Sequence, residues 1–234
     1  MNYAELHCLS NFTFLRGASH PEELVQRAAE LGYQALAITD ECSLSGVVCA
    51  HREITEHALP LKLIIGSEFR DDSGVYVLIA TDRQAYAELS QLITRARRAA
   101  PKGEYCFDPA SLLDLTDCLL LWQPSSSGFE AWHKALTNAF TGRLWLLAER
   151  TLDEHDAQTF LPIQQWAKTS GLPVVAAGNV HMHLPQRQKL QDCLTSIRLN
   201  RPVTDIREHL FCNAERHLRS DRKLKRLYPS DWLP

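Results

Sequence analysis

Apolar residues fall along this chain in short unbroken runs, separated by segments of helical spacing. Ala35 to Ile38, Leu61 to Ile65, Val75 to Ala80, Cys118 to Trp122, Arg143 to Ala148 and Pro173 to Ala177 read as strands, and the stretch around His7 adds a seventh. Continuous runs suit strands buried on both faces. Leu24, Val25, Ala28, Ala29 and Leu31 recur at helical spacing, behind a Ser19-His20-Pro21-Glu22 start with capping-box spacing. Further helices are predicted over 43–57, 84–98, 129–140, 153–169 and 185–198, and Asp71 to Gly74 reads as a turn. Strand and helix alternate, which predicts parallel strands joined by crossover helices. Without a glycine-rich phosphate fingerprint, the expected fold is α/β: a distorted (β/α) barrel of about seven parallel strands, TIM-barrel-like. An open doubly wound sheet is the alternative. After Asn200 the pattern weakens, so the expected division is a barrel over 1–200 and a short basic helical appendage over 201–234.

In such a barrel the carboxyl ends of the strands converge on one face. Four of them carry polar groups able to bind a cation: His7, Asp40-Glu41, Glu68 and Asn179-Val180-His181. Imidazole with carboxylate suits zinc or manganese. Each end alone also reads as a hydrogen-bonded loop residue. His181 and His183 would point the same way on an extended segment, as a ligand pair or by coincidence.

Charge changes the picture at the C-terminal end. The net charge is −3, which excludes a whole-surface polyanion binder. Yet 198–226 holds nine basic residues against four acidic ones. Arg216, Arg219, Arg222, Lys223, Lys225 and Arg226 form a strip that reads either as a solvated face or as one turned to nucleic acid or an acidic partner. Seven scattered cysteines, no C-x-x-C pair and no visible signal peptide point to reduced thiols in the cytoplasm. Cys118 and Cys193 are expected in the core. No apolar run approaches the ~18 residues of a membrane span.

Four segments together resemble the successive motifs of a PHP (polymerase and histidinol phosphatase) domain. They are Leu6 to Ser10, Leu36 to Gly46, Ile64 to Glu68 and Val174 to His181. The wording of Ala18 to Leu24, Thr39 to Leu44, His181-Met182-His183 and Leu210 to Leu218 is similar to the error-prone branch of bacterial C-family DNA polymerases. The resemblance implies a seven-strand barrel whose metal-binding members hydrolyse phosphoesters through metal-activated water. Other members have lost the ligands and stabilise the polymerase or bind a partner.

Carried over residue by residue, the resemblance implies an eroded site. His7 is kept, but its partner position is Leu9. Arg16 stands where an acidic or His ligand is expected, Glu41 replaces His, and Val75 stands for another His. Asn179 replaces Asp, while Asp40, Glu68 and His181 are kept. The expected remnant is His7, Glu41, Glu68, Asn179 and His181, enough for one residual zinc or manganese and with no catalytic residue. The implied role is the N-terminal PHP domain of an error-prone polymerase acting in damage bypass, with the polymerase body following Pro234. The implied partners are that body, DNA through it, and other damage-response proteins, with no membrane. The alternative is an active metal-dependent phosphoesterase; a pure docking module is the third reading.

Overall fold

The computed structural model describes residues 3–234. Seven strands form one sheet in chain order: β1 (Ala4–Glu5), β2 (Ala35–Ile38), β3 (Lys62–Asp71), β4 (Gly74–Ala80), β5 (Leu119–Pro124), β6 (Leu144–Glu149) and β7 (Val174–Ala177). Just beyond β1 and β7, the Leu9 N–H donates to the Val180 carbonyl (2.8 Å) and the Val180 N–H to the His7 carbonyl (2.9 Å). These bonds bring the two ends of the sheet together, and the result is a barrel rather than an open sheet.

One strand departs from the expected direction. β4 runs antiparallel to both β3 and β5, while the remaining neighbours are parallel. The cause is local. Only Asp72 and Ser73 separate β3 from β4, and a two-residue link permits a hairpin but not a parallel crossover. The Asp71–Gly74 turn is as expected from sequence; its consequence for strand direction is what the alternation rule misses.

The helices α1 (Pro21–Glu30), α2 (Val47–Glu56), α3 (Arg83–Arg98), α4 (Ser126–Ala139), α5 (Asp156–Ser170), α6 (Gln188–Leu199) and α7 (Asp221–Leu227) complete the order. α1 starts one residue later than its capping signal suggests. Glu23 accepts the His20 N–H at 2.9 Å, and the Ser19 hydroxyl instead accepts the His183 N–H at 2.9 Å.

Side chains two apart on a strand share a face, and the barrel separates accordingly. Leu36 and Ile38 belong to the large cluster under the helices, while Ala37, Val77, Ile79, Leu121, Leu147, Val175 and Ala177 form a second, separate cluster. This second set is the lumen. Continuing its stripes toward the strand ends reaches Glu149 two residues past Leu147, and Asn179 two past Ala177. Cys118 is buried as expected. Cys193 is exposed, because α6 turns it away from the core.

Residues 201–234 pack back on the barrel. Leu218, Leu224 and Tyr228 join the main hydrophobic cluster. The Tyr228 hydroxyl accepts the Arg150 N–H (2.8 Å) and donates to the Ala177 carbonyl (2.9 Å). Tyr228→Phe therefore leaves a buried donor and acceptor unpaired, and is expected to cost about 1–3 kcal/mol in urea denaturation. Within the basic strip, Arg222, Lys225 and Arg226 are exposed and Lys223 pairs with Glu215. Arg219 is the correction: it is 1% exposed and donates to the Glu215 and Arg150 carbonyls, so it faces inward. Leu218 beside it packs in the core, and the buried Tyr33 hydroxyl accepts the Arg219 N–H (3.1 Å) and donates to its carbonyl (2.7 Å), which holds this stretch inward.

Candidate functional site

The site lies where the lumen opens at the strand ends. A loop over residues 10–18 folds across it, and Asp40 is the hub of that loop. The Asp40 carboxylate accepts the Ser10 N–H (2.7 Å), the Ser10 hydroxyl (2.8 Å) and the Thr13 hydroxyl (2.8 Å). Gly17 permits the tight return of the chain, since a Cβ there would lie 2.0 Å from the Ser10 carbonyl oxygen. Gly17→Ala is expected to cost about 1–3 kcal/mol and to displace Arg16, read as a lowered thermal midpoint.

Arg16 reaches from this loop into the site. Its Nη1 donates to Glu41 Oε2 and, at 2.9 Å, to Glu68 Oε1. Arg70, two residues past Glu68 on β3, closes a two-point fork on the same carboxylate: Nε to Oε1 at 2.6 Å and Nη2 to Oε2 at 2.8 Å. Glu41 also accepts the Tyr105 hydroxyl at 2.7 Å. His7 is clamped between two carboxylates, Nδ1 to Glu149 Oε1 at 2.5 Å and Nε2 to Glu68 Oε2 at 2.7 Å. Asn179 donates to the other Glu149 oxygen at 2.8 Å.

Electrostatics follow from this geometry. Burial alone would push the His7 imidazole down, but Glu149 and Glu68 outweigh it and raise the group to about 9. The ring is thus an imidazolium at neutral pH and donates from both nitrogens. Burial pushes Glu68 up, yet Arg70, Arg16 and His7 hold it well below the usual carboxylate range. His7, Arg16 and Arg70 balance Glu41, Glu68 and Glu149, three charges against three. His181 behaves oppositely: burial, then Arg216 and Arg16, keep it well below its usual value and neutral. Its Nδ1 donates to the Asn179 carbonyl at 2.9 Å.

The expected ligands are therefore brought together, with their polar atoms turned to protein partners. A metal needs a free imidazole lone pair and carboxylate oxygens turned toward it. Here both His7 nitrogens are taken up by the carboxylates of Glu149 and Glu68, and the oxygens of Glu68 and Glu41 face guanidinium, imidazole or phenol groups. Among the described residues, no three His, Cys, Asp or Glu side chains are placed to share one ion. As arranged, this donor set does not fit a metal cluster. Val75 lies at the lumen end, packed against the lumen cluster, and Leu9 is fully buried, so both stand as apolar packing. His183 bonds to Ser19 (Nδ1 to Oγ, 2.8 Å) and does not pair with His181.

Glu149 and Arg70 escaped the sequence reading although signals for both exist. Glu149 closes an apolar strand run, as Glu68 does. Arg70 sits at i+2 from Glu68 and must share its face.

A seven-strand barrel, mostly parallel, with polar residues gathered at its strand ends, defines the class. The PHP domain family model matches residues 5–142, more than half the chain, and the chain belongs to the PHP family. It is 46% identical over 237 residues to the error-prone DNA polymerase of Hahella chejuensis, covering 98% of this chain and 23% of that protein. It is 48% identical over 238 residues to the error-prone DNA polymerase of Dechloromonas aromatica, covering 99% and 23%. The chain thus spans about a quarter of the length of these curated relatives. Among solved structures, an amidohydrolase from Chromobacterium violaceum, with bound sulfate and no metal, shares the fold at a TM-score of 0.52. Its sequence identity is 14%, over 76% of this chain and 87% of the other. No helix among the described residues is long and apolar enough to cross a membrane.

Proposed function

We propose that this chain is the PHP module of an error-prone DNA polymerase engaged in damage-associated synthesis, and that the module is non-hydrolytic. Arg16 carries the reading. A guanidinium bridging Glu41 and Glu68 supplies, as fixed positive charge, what a metal cluster would supply to these carboxylates. A metal ion that would activate water there meets repulsion from that guanidinium. The site then holds β1, β3, β6 and the 10–18 loop together, so its chemistry is structural. Residues 1–200 are the barrel in this reading. Residues 201–234 carry the exposed Arg222, Lys225 and Arg226 toward the remaining polymerase or its DNA. Identity near one half to error-prone polymerases, over almost the whole chain, supports the assignment.

Metal analysis of protein purified without chelator is the test, paired with hydrolysis of a phosphodiester in added zinc or manganese. The expected result is less than one equivalent of metal and turnover no faster than buffer. Two or more bound metals with hydrolysis abolished by His7→Ala would establish the competing phosphoesterase.

A further inference from the structure

The misfit to a cation has a counterpart at the mouth of the same barrel. A cavity of about 770 Å³ opens there, a volume in the range of small-molecule sites. Five arginines line it (Arg16, Arg70, Arg97, Arg198 and Arg216), against Glu41 and Glu104. Arg16 and Arg70 are neutralised by the carboxylates beneath them. Arg97 donates only to the carbonyls of Glu41, Cys42 and Glu104. Arg198 and Arg216 have no side-chain hydrogen bond or ion pair among the described residues; Arg216 lies over the Phe211 ring at 4.4 Å. Burial and then Arg16 push Arg198 down. Burial pushes Arg216 down too, opposed by Glu149 and reinforced by Arg70 and Arg16. A guanidinium keeps its charge in proteins, and Arg16 stands among the charged neighbours of both.

We infer that this mouth is an anion site, taking the phosphate of a nucleotide or of a single-stranded nucleic acid between Arg198 and Arg216, with ring faces beside it for the base. The inference rests on the reading above in one respect, that arginines rather than a metal cluster occupy the strand ends. A planar guanidinium fork matches a phosphate two oxygens at a time, and an anion relieves the repulsion among the arginines. The rings select the class of anion. Phe12 and Phe14 rise from the 10–18 loop at 41% and 81% exposure, and Phe211 backs Arg216. Aromatic faces beside arginines form a stacking platform for bases, worth about 1–3 kcal/mol each. An acidic peptide would engage the arginines and leave those rings idle. With a net charge of −3, the attraction is local to this mouth.

The test is fluorescence anisotropy of a labelled oligodeoxythymidylate with the 234-residue chain, at low salt and in EDTA. Thymidine monophosphate, inorganic phosphate and polyglutamate serve as competitors. Binding is expected, with competition by the nucleotide stronger than by phosphate, and none by polyglutamate. Arg198→Ala with Arg216→Ala is expected to weaken binding at least about tenfold. Phe14→Ala weakens the oligonucleotide and not phosphate. Lys62→Ala with Lys168→Ala, exposed at the start of β3 and the end of α5 and outside the mouth, changes nothing. Should the alanine pair unfold, Arg198→Gln with Arg216→Gln gives the same comparison while keeping the side-chain stems. Unchanged affinity in the arginine variants, an equal loss in the Lys62/Lys168 variant, or displacement by polyglutamate would overturn the site. Binding that needs added zinc or manganese would instead overturn the non-hydrolytic reading.

Discussion

Glu68→Gln is expected to destabilise the chain by about 3–5 kcal/mol, the cost of removing one member of a buried ion network. The substitution keeps volume and removes only charge. Glu68 is fully buried and accepts from His7, Arg16 and, at both oxygens, Arg70. Without it, three cationic groups face only Glu41 and Glu149. Two of the three are anchored on β1 and β3 and have little room to seek water. Glu41→Gln at the rim is the comparison, because its side chain is 20% exposed and water compensates in part. Its expected cost is smaller, about 1–2 kcal/mol. Urea denaturation followed by tryptophan emission measures both. A Glu68→Gln loss within that of Glu41→Gln would show that the network contributes little and that packing alone closes the barrel.

Stability is expected to fall by about 3 kcal/mol between pH 6.5 and 9 on account of His7. The folded imidazole is raised to about 9 from an ordinary 6.5. Below 6.5 the proton is held in both states, and the clamp by Glu68 and Glu149 contributes fully. Between the two values the folded chain keeps a proton that the unfolded chain has released. Unfolding then liberates a proton, and stability declines as pH rises. Above about 9 the contribution is gone. Buried thiols and phenols such as Cys8 and Tyr33 add their own alkaline loss, but only above their ordinary values of 9.0 and 10.0. The difference between the parent chain and His7→Gln across pH 6.5–9 therefore isolates the imidazole. A difference that stays flat over that window would show His7 to be neutral in the fold.

The strands were legible in sequence because continuous apolar runs have one cheap solution, a sheet covered on both sides. The helices followed from spacing, with ends displaced by a few residues where caps compete, as at Ser19 and His20. Closure into a barrel was also within reach of the alternation. The direction of β4 was not, because alternation counts elements and ignores that Asp72-Ser73 is too short to cross over. Cys193 and Arg219 were misplaced for a related reason. Periodicity gives a face but not what packs against it, so a cysteine on a solvent face of α6 and an arginine beside Leu218 look alike in sequence.

By itself, then, the sequence determined the barrel and its polar strand ends, while the family resemblance implied that ligands expected there are replaced by Leu9, Arg16, Glu41, Val75 and Asn179. It could not determine what those strand ends do. That depended on distances between residues as far apart as His7 and Glu149, and Arg16 and Glu68. Tertiary structure alone decided that the carboxylates close on arginine and imidazole, and that Arg198 and Arg216 line the mouth with no carboxylate partner among the described residues. The physical reason is that charge pairing in a buried site is set by separations of a few ångströms in space, which hydrophobic periodicity along the chain does not encode.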